Sequence, residues 1–205
     1  MAILNLPTPP YAVLEVGEHN VARPGDVLEN PATGERIVFH TTAQDTDGAL
    51  LRYEAEFTPR GIAARTHVHP QQEERHEVLE GKLGITVAGR EVRLEAGDVA
   101  VVPAGVPHRL WNIGREPVSA LFELRPALRW ETLYETAIGL ARDGKVNRRG
   151  EPGLLQLAVL AQEYRNEVRL AWPPLAVQIA LLAPLARLGA LLGRRARYDR
   201  YSGPC

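Results

Sequence analysis

Residues 61–81 read GIAARTHVHPQQEERHEVLEG, and this stretch decides the fold. His67 and His69 lie two residues apart, and on a β-strand both imidazoles then share one face. Pro70 and a short polar run turn the chain back, so that Glu74 on the following strand reaches the same point. Imidazole and carboxylate ligands together suit a divalent transition metal. We therefore predict a metal site here.

Alternating apolar and polar residues predict strands on both sides of this stretch. Residues 36–42 and 51–57 precede it, and residues 83–87 and 118–124 follow it. Residues 36–125 are expected to hold seven or eight short strands at a spacing of roughly ten residues. This pattern is typical of an antiparallel sandwich or barrel.

A second stretch, GDVAVVPAGVPHRLWN over residues 97–112, supplies a further histidine, His108, after two turns that contain proline. His76 has the same strand parity as Glu74, so we expect it to face the interior that holds the ligands. Two readings of His76 stay open. It contacts the substrate, or it is a polar residue with hydrogen bonds inside the mouth of the barrel.

Both stretches resemble the two sequence motifs of the cupins. The first motif is glycine, five residues, HxH, three or four residues, glutamate, six residues and glycine. It is matched by Gly61, His67, His69, Glu74 and Gly81. The second motif is matched by Gly97, Pro103, Gly105, His108 and Asn112.

The resemblance implies a mainly β protein whose residues 36–125 form a double-stranded β-helix, or jelly-roll barrel. Residues 1–35 would be a lead-in that packs on the barrel, and residues 126–205 a helical extension of two or three helices. The resemblance also implies one divalent transition metal, which could be iron, manganese, nickel, copper or zinc. Its expected ligands are His67, His69, Glu74 and His108.

The cupin motifs alone do not specify a reaction, but the donor set and the barrel wall favour one. Four protein ligands leave one or two positions on a five- or six-coordinate metal for a small-molecule substrate or dioxygen. We expect a dioxygenase-type oxidoreductase, with Glu74 and His76 as catalytic residues. Two alternatives stay open: a non-catalytic binding or regulatory cupin, and a metal-dependent isomerase or lyase. The residues expected to face the substrate are Tyr53, Phe57, Arg65, Ile85, Leu110, Asn112 and Phe122.

The extension after residue 126 changes to a helical period. A first helix is expected near Trp130 to Ala141, and a second over Leu154 to Ala171. Residues 175–193 are almost entirely apolar, so we expect this helix to be buried on the barrel or against a second subunit. The open alternatives are peripheral membrane contact through residues 175–200, where a basic cluster follows the apolar run, and a membrane span.

Composition excludes several classes of function. The 24 Lys and Arg residues balance 25 Asp and Glu residues, so no global field favours nucleic acid. Cys205 is the single cysteine, so no intramolecular disulfide can form, and we expect an exposed thiol without a role. The N-terminus lacks the features of a signal peptide. We expect a cytoplasmic homodimer, with membrane association as the alternative.

Overall fold

The computed structural model describes residues 22–59 and 65–202. Three sequence predictions lie outside these residues: the first part of the lead-in over residues 1–21, the motif position Gly61, and the thiol of Cys205.

Two antiparallel sheets face each other. One has six strands in the order β1-β2-β3-β10-β5-β8, and the other has five in the order β11-β4-β9-β6-β7. The strands are β1 (Val27–Glu29), β2 (Arg36–Thr41), β3 (Leu51–Phe57), β4 (His67–Val68), β5 (Glu73–Glu80), β6 (Lys82–Val87), β7 (Arg90–Glu95), β8 (Val99–Val102), β9 (His108–Asn112), β10 (Val118–Arg125) and β11 (Arg169–Leu170).

The strand count corrects the sequence expectation. Nine strands, β2 to β10, lie within the described part of residues 36–125, where seven or eight were predicted. The shortfall arises because β4 has two residues and β8 has four, which is too short for alternation to stand out. The lead-in also contributes a strand, β1, which pairs with β2 and buries Val27 completely.

The core lies between the sheets because inward-facing positions of both sheets are apolar. Strand β3 shows the pattern clearly: Leu51, Tyr53, Ala55 and Phe57 are buried, and the residues between them are exposed or half-buried. Burial of such side chains supplies most of the favourable free energy of folding, at about 25 cal/mol per Å² of apolar surface.

Four helices follow the barrel, one more than the upper expectation, and the last is a single turn. They are α1 (Trp130–Arg142), α2 (Leu154–Glu163), α3 (Leu175–Leu191) and α4 (Asp199–Ser202). Helix α1 packs its buried face, which includes Trp130 and Ile138, against the barrel core.

The predicted second helix is too long. Helix α2 ends at Glu163, whereas the sequence pattern continued to Ala171. Residues after it turn back, and β11 pairs with β4 at the edge of the five-stranded sheet. The apolar spacing that mimics a helix here serves the core instead, since Val168 packs against it. Tertiary pairing has overridden local periodicity.

Helix α3 is less enclosed within the chain than predicted. It packs mainly against α2, with Gly189 so close that an added Cβ would lie 2.8 Å from the Leu155 carbonyl oxygen, and its Gln178 donates to the Leu170 carbonyl oxygen of β11. Gln178 and Gly189 are the buried residues of α3, and most of its leucines are exposed. No helix within the described residues combines the length and the apolar character needed to cross a membrane.

Glu131 on α1 generates a prediction about stability and pH. Burial raises its pKa to about 7, against a hydrogen bond from the Ala43 N–H at 2.6 Å and with repulsion from Glu135 and Asp45. A carboxyl whose pKa rises on folding stabilises the fold below its unfolded pKa, and this contribution is lost as the pH rises through about 7.

We expect Glu131→Gln, which keeps an acceptor for Ala43, to raise the free energy of unfolding at pH 8 by about 1 to 3 kcal/mol relative to the native chain. The gain should fade towards pH 4.5. Urea unfolding across this range measures it, with the exposed Glu56→Gln as control. A gain independent of pH would contradict the assignment.

Candidate metal centre

The candidate centre is built between the two sheets. His67 lies on β4 directly opposite His108 on β9, and His69 follows two residues after His67. Glu74 comes from β5 of the facing sheet. The proline-containing turn between β4 and β5 therefore carries the chain from one sheet to the other, which brings the carboxylate to the imidazoles.

Four ligand atoms, one from each side chain, lie within 4.8 Å of one another. His108 Nε2 is 2.8 Å from Glu74 Oε2, and His69 Nε2 is 3.4 Å from the same oxygen. The Nε2 atoms of His67 and His69 are 3.2 Å apart. All four side chains are buried. This buried His/Glu group suits a metal ion.

Backbone carbonyls fix which nitrogen of each imidazole faces the centre. The Nδ1 atoms of His67, His69 and His108 lie 2.8, 2.7 and 3.0 Å from the carbonyl oxygens of Arg65, Glu167 and Val106. A carbonyl only accepts, so each Nδ1 carries the proton and donates. Each Nε2 then offers a lone pair to the centre, which is the arrangement that metal-binding histidines need.

Electrostatics favour the metal-binding forms of Glu74 and His67 but not of His69. Burial alone would raise the pKa of Glu74, but His76, His69 and the hydrogen bond from His108 hold it well below its usual range. Burial, with His108 and His69 nearby, lowers the pKa of His67 to about 4. The pKa of His69 is raised, because its contacts with Glu74 outweigh burial.

Gly105 connects the second motif to the ligand strand. Its φ of +78° is a conformation that favours glycine, and its N–H donates to the His69 carbonyl oxygen at 2.8 Å. The turn before β9 is thereby tied to the segment that carries His69, which holds His108 and His69 in a constant relation.

His76 reaches the same interior. It is completely buried, and its Nε2 lies 3.4 Å from Glu74 Oε2. Neither ring nitrogen makes a hydrogen bond with a described residue. A buried polar group without a partner is costly, so these nitrogens are the place in the described barrel where a bound molecule would gain most.

Aromatic rings continue from the ligands into the barrel. Phe122 packs edge-on against His76 at 4.9 Å and stacks on Tyr53 at 5.1 Å. Helix α1 adds Trp130, edge-on to His69 at 4.9 Å, and Tyr134, whose hydroxyl oxygen is 3.2 Å from that of Tyr53. Burial raises the pKa of both tyrosines, so both stay protonated donors.

The residues that were predicted to face the substrate fall into two groups that differ in their surroundings. The apolar and aromatic ones are buried within the barrel core: Tyr53, Phe57, Ile85, Leu110 and Phe122.

The other two residues, Arg65 and Asn112, have different surroundings. The Arg65 side chain is 69% exposed and binds Glu151 at 2.7 Å, because residue 65 lies in a bend before β4 and strand parity does not extend to it. Asn112 is buried, but it donates to the carbonyl oxygens of Phe57, Thr58 and Glu116. It joins loops and has no donor left for a ligand.

Sequence reasoning missed the contributions of the extension. Trp130 and Tyr134 were assigned to a helical stripe, and Glu167 to a helix, yet Glu167 supplies the carbonyl that orients His69. Arg129 holds Glu167 in place through an Nε hydrogen bond to Oε1 at 2.8 Å, and it also donates to the Glu163 carbonyl. No motif marks these residues.

Comparison with known proteins identifies the barrel. The family model described as a cupin domain matches residues 53–122. Residues 53–122 are a cupin domain.

The curated relatives of this cupin are distant and match part of it. Tetracenomycin polyketide synthase protein TcmJ of Streptomyces glaucescens is 35% identical over 66 residues, which are 32% of this chain and 44% of that protein. The probable oxidoreductase virH of Hypocrea virens is 28% identical over 148 residues, 66% of each. A solved structure of a predicted oxalate decarboxylase from Thermotoga maritima gives a TM-score of 0.43 at 20% identity, covering 45% of this chain and 80% of that one.

Removing a ligand should remove the metal. We expect His67→Ala and His108→Ala each to lower metal affinity by more than about 100-fold, since even residues that only orient a ligand contribute 10- to 100-fold. Metal analysis of purified protein and titration of the metal-free form measure this. The control is His40→Ala, because His40 lies on β2 and faces Glu54 at 3.6 Å. Equal metal content in all variants would contradict the site.

Removing the hydrogen bond by which Arg129 holds Glu167 should weaken metal binding, although neither residue is an expected ligand. We expect Arg129→Met to lower metal affinity about tenfold, because the His69 orientation depends on the segment that Arg129 holds. The matched control is Arg165→Met, because Arg165 is exposed and lies in the same turn as Glu167. Unchanged metal affinity in Arg129→Met, measured with the fold intact by circular dichroism, would show that the carbonyl is held without Arg129.

Proposed function

We propose that this cupin is a mononuclear metal-dependent oxidoreductase of the dioxygenase type that acts on a small aromatic or enolic substrate. The observation that carries the proposal is the convergence of three imidazole Nε2 atoms and one carboxylate at a single buried point. The similarity to virH, a probable oxidoreductase, supports the same class.

The donor set fits a metal ion that keeps one or two coordination positions open for molecules other than the protein. Three neutral imidazoles and one carboxylate suit iron, manganese, nickel, copper or zinc, whereas closed structural zinc sites are usually rich in cysteine. When bound, a redox-active ion of this group would supply Lewis acidity and a centre for dioxygen chemistry.

The surroundings of the centre favour an uncharged, planar substrate. The interior near the ligands is lined by aromatic rings, including Trp130, Tyr134 and Phe122. No lysine or arginine is buried within residues 22–59 and 65–202, so a phosphate group would find no cation there. The polyketide synthase name of TcmJ supports a phenolic or enolic compound.

His76 and Glu74 are the residues that we assign to proton handling. The His76 nitrogens are available for a substrate hydroxyl, and the Glu74 oxygen 3.4 Å away can stabilise the protonated imidazole. In this role His76 accepts a proton from the enol or phenol and later returns it. The rings of Phe122 and Trp130 exclude water from the transfer.

The position of His76 also supports a second candidate, a metal-dependent isomerase or lyase. A free imidazole beside a carboxylate suits proton transfer without dioxygen. In that case the same two residues would move a proton between two carbons of the substrate, and no oxygen would be consumed.

The decisive experiment loads the metal-free protein with each candidate metal and follows oxygen consumption on enols, flavonols and catechols. We expect turnover with one redox-active metal, and in His76→Leu a loss of about 10²- to 10⁴-fold in kcat with metal content unchanged. His40→Ala serves as the control. Deuterium exchange into substrate without oxygen consumption would favour the isomerase or lyase. Metal binding without any turnover would favour a binding or regulatory cupin.

We keep a cytoplasmic homodimer as a prediction. Light scattering on the full chain measures the oligomeric state directly.

A further inference from the structure

Helix α3 carries one exposed apolar stripe. Val177, Leu181, Leu188 and Leu191, with Leu192 directly after the helix, follow one another at spacings that place them on the same side of a helix. Leu181 is 61% and Leu191 85% exposed. The stripe runs for about 22 Å at 1.5 Å per residue, and so it is far larger than scattered surface leucines.

The two ends of the stripe carry different chemistry. Trp172 precedes α3 and is 79% exposed. Arg194 and Arg195 follow its last turn and are exposed, and the exposed Arg187 lies one turn before Leu191. Trp side chains favour the boundary between water and lipid, and arginines favour lipid phosphates.

Charge along this part of the chain has one sign. Residues 169–198 contain no aspartate or glutamate, although the whole protein has a formal charge of −1. The segment includes five arginines: Arg169, Arg187, Arg194, Arg195 and Arg197. A basic segment with an apolar stripe is complementary to a membrane surface, in which anionic headgroups cover an apolar interior.

A second copy of the chain fits this face less well. A two-fold contact would place the stripe against itself, and no acidic side chain of residues 169–198 would meet the partner's arginines. Insertion across a bilayer is also disfavoured, because no described helix is long and apolar enough. A helix lying in the plane of the membrane interface places its leucines in the apolar region and its arginines beside the lipid phosphates.

We propose that Trp172 and helix α3 form a docking surface for membranes that contain anionic phospholipid. The leucine stripe enters the headgroup boundary, Trp172 anchors one end, and Arg194 and Arg195 bind lipid phosphates at the other. The metal centre takes no part in this contact, so the proposal is independent of the proposed function.

Sedimentation of the full-length protein with vesicles tests the proposal. The vesicles are phosphatidylcholine alone, or equal parts of phosphatidylcholine and phosphatidylglycerol. We expect binding to the anionic vesicles, weakened by salt, and little binding to the neutral ones. Leu181→Gln with Leu188→Gln, and separately Arg194→Gln with Arg195→Gln, should each reduce binding by at least about tenfold.

Matched controls separate this surface from general stickiness. Val92→Gln with Val99→Gln removes exposed apolar side chains of the barrel, and Arg90→Gln with Arg93→Gln removes exposed arginines of β7. Both pairs should bind vesicles as the native chain does. Circular dichroism confirms that each variant is folded.

Three results would overturn the proposal. One is the absence of binding to anionic vesicles. Another is equal binding to neutral and anionic vesicles. The third is a native dimer that becomes monomeric in the leucine variant without any vesicle binding, which would assign the stripe to a second copy.

Discussion

The buried carboxylate of Glu74 is the constraint on which the site depends. An ionised carboxylate between two sheets is costly unless cations or donors surround it. Here the Nε2 atom of His108 lies 2.8 Å from Glu74 Oε2, and the Nε2 atoms of His69 and His76 each lie 3.4 Å from it. Because these histidines come from three different segments, the position of Glu74 fixes the relation between the two sheets. A metal ion would satisfy the carboxylate and the imidazole lone pairs together.

Orientation of the imidazoles comes from the backbone, and this explains why the extension matters. Two of the three carbonyls that fix the tautomers lie within two residues of their histidine, at Arg65 and Val106. The third, at Glu167, is 98 residues away from His69. Strand β11 brings it there by pairing with β4. The barrel motifs therefore contain the ligands but not everything that orients them.

The sequence was sufficient to predict the barrel and the grouping of His67, His69, Glu74 and His108, because both follow from local patterns. Strand alternation places His67 and His69 on one face, and the spacing selects the buried Glu74 over the exposed Glu73. It failed where tertiary contacts decide. Residues 164–171 have helical spacing but form a turn and an edge strand. Arg65 lies in a bend, where the alternation of side chains along a strand does not apply. Trp130 and Tyr134 reach the site only because α1 packs on the barrel.

Helix α3 shows a second case in which the sequence alone was not enough, because its apolar pattern predicted more burial than the structure has. A run with so few polar residues predicts burial on all sides, yet α3 packs mainly against α2, with its small residue Gly189 at the contact. The leucines on the far side stay exposed although exposure of apolar surface is unfavourable. The chain passes from Glu167 through β11 and Trp172 directly into α3, so the residues that orient His69 and those that expose the stripe belong to one continuous segment. Removing the extension would therefore also remove the carbonyl group that orients His69 in the candidate metal centre.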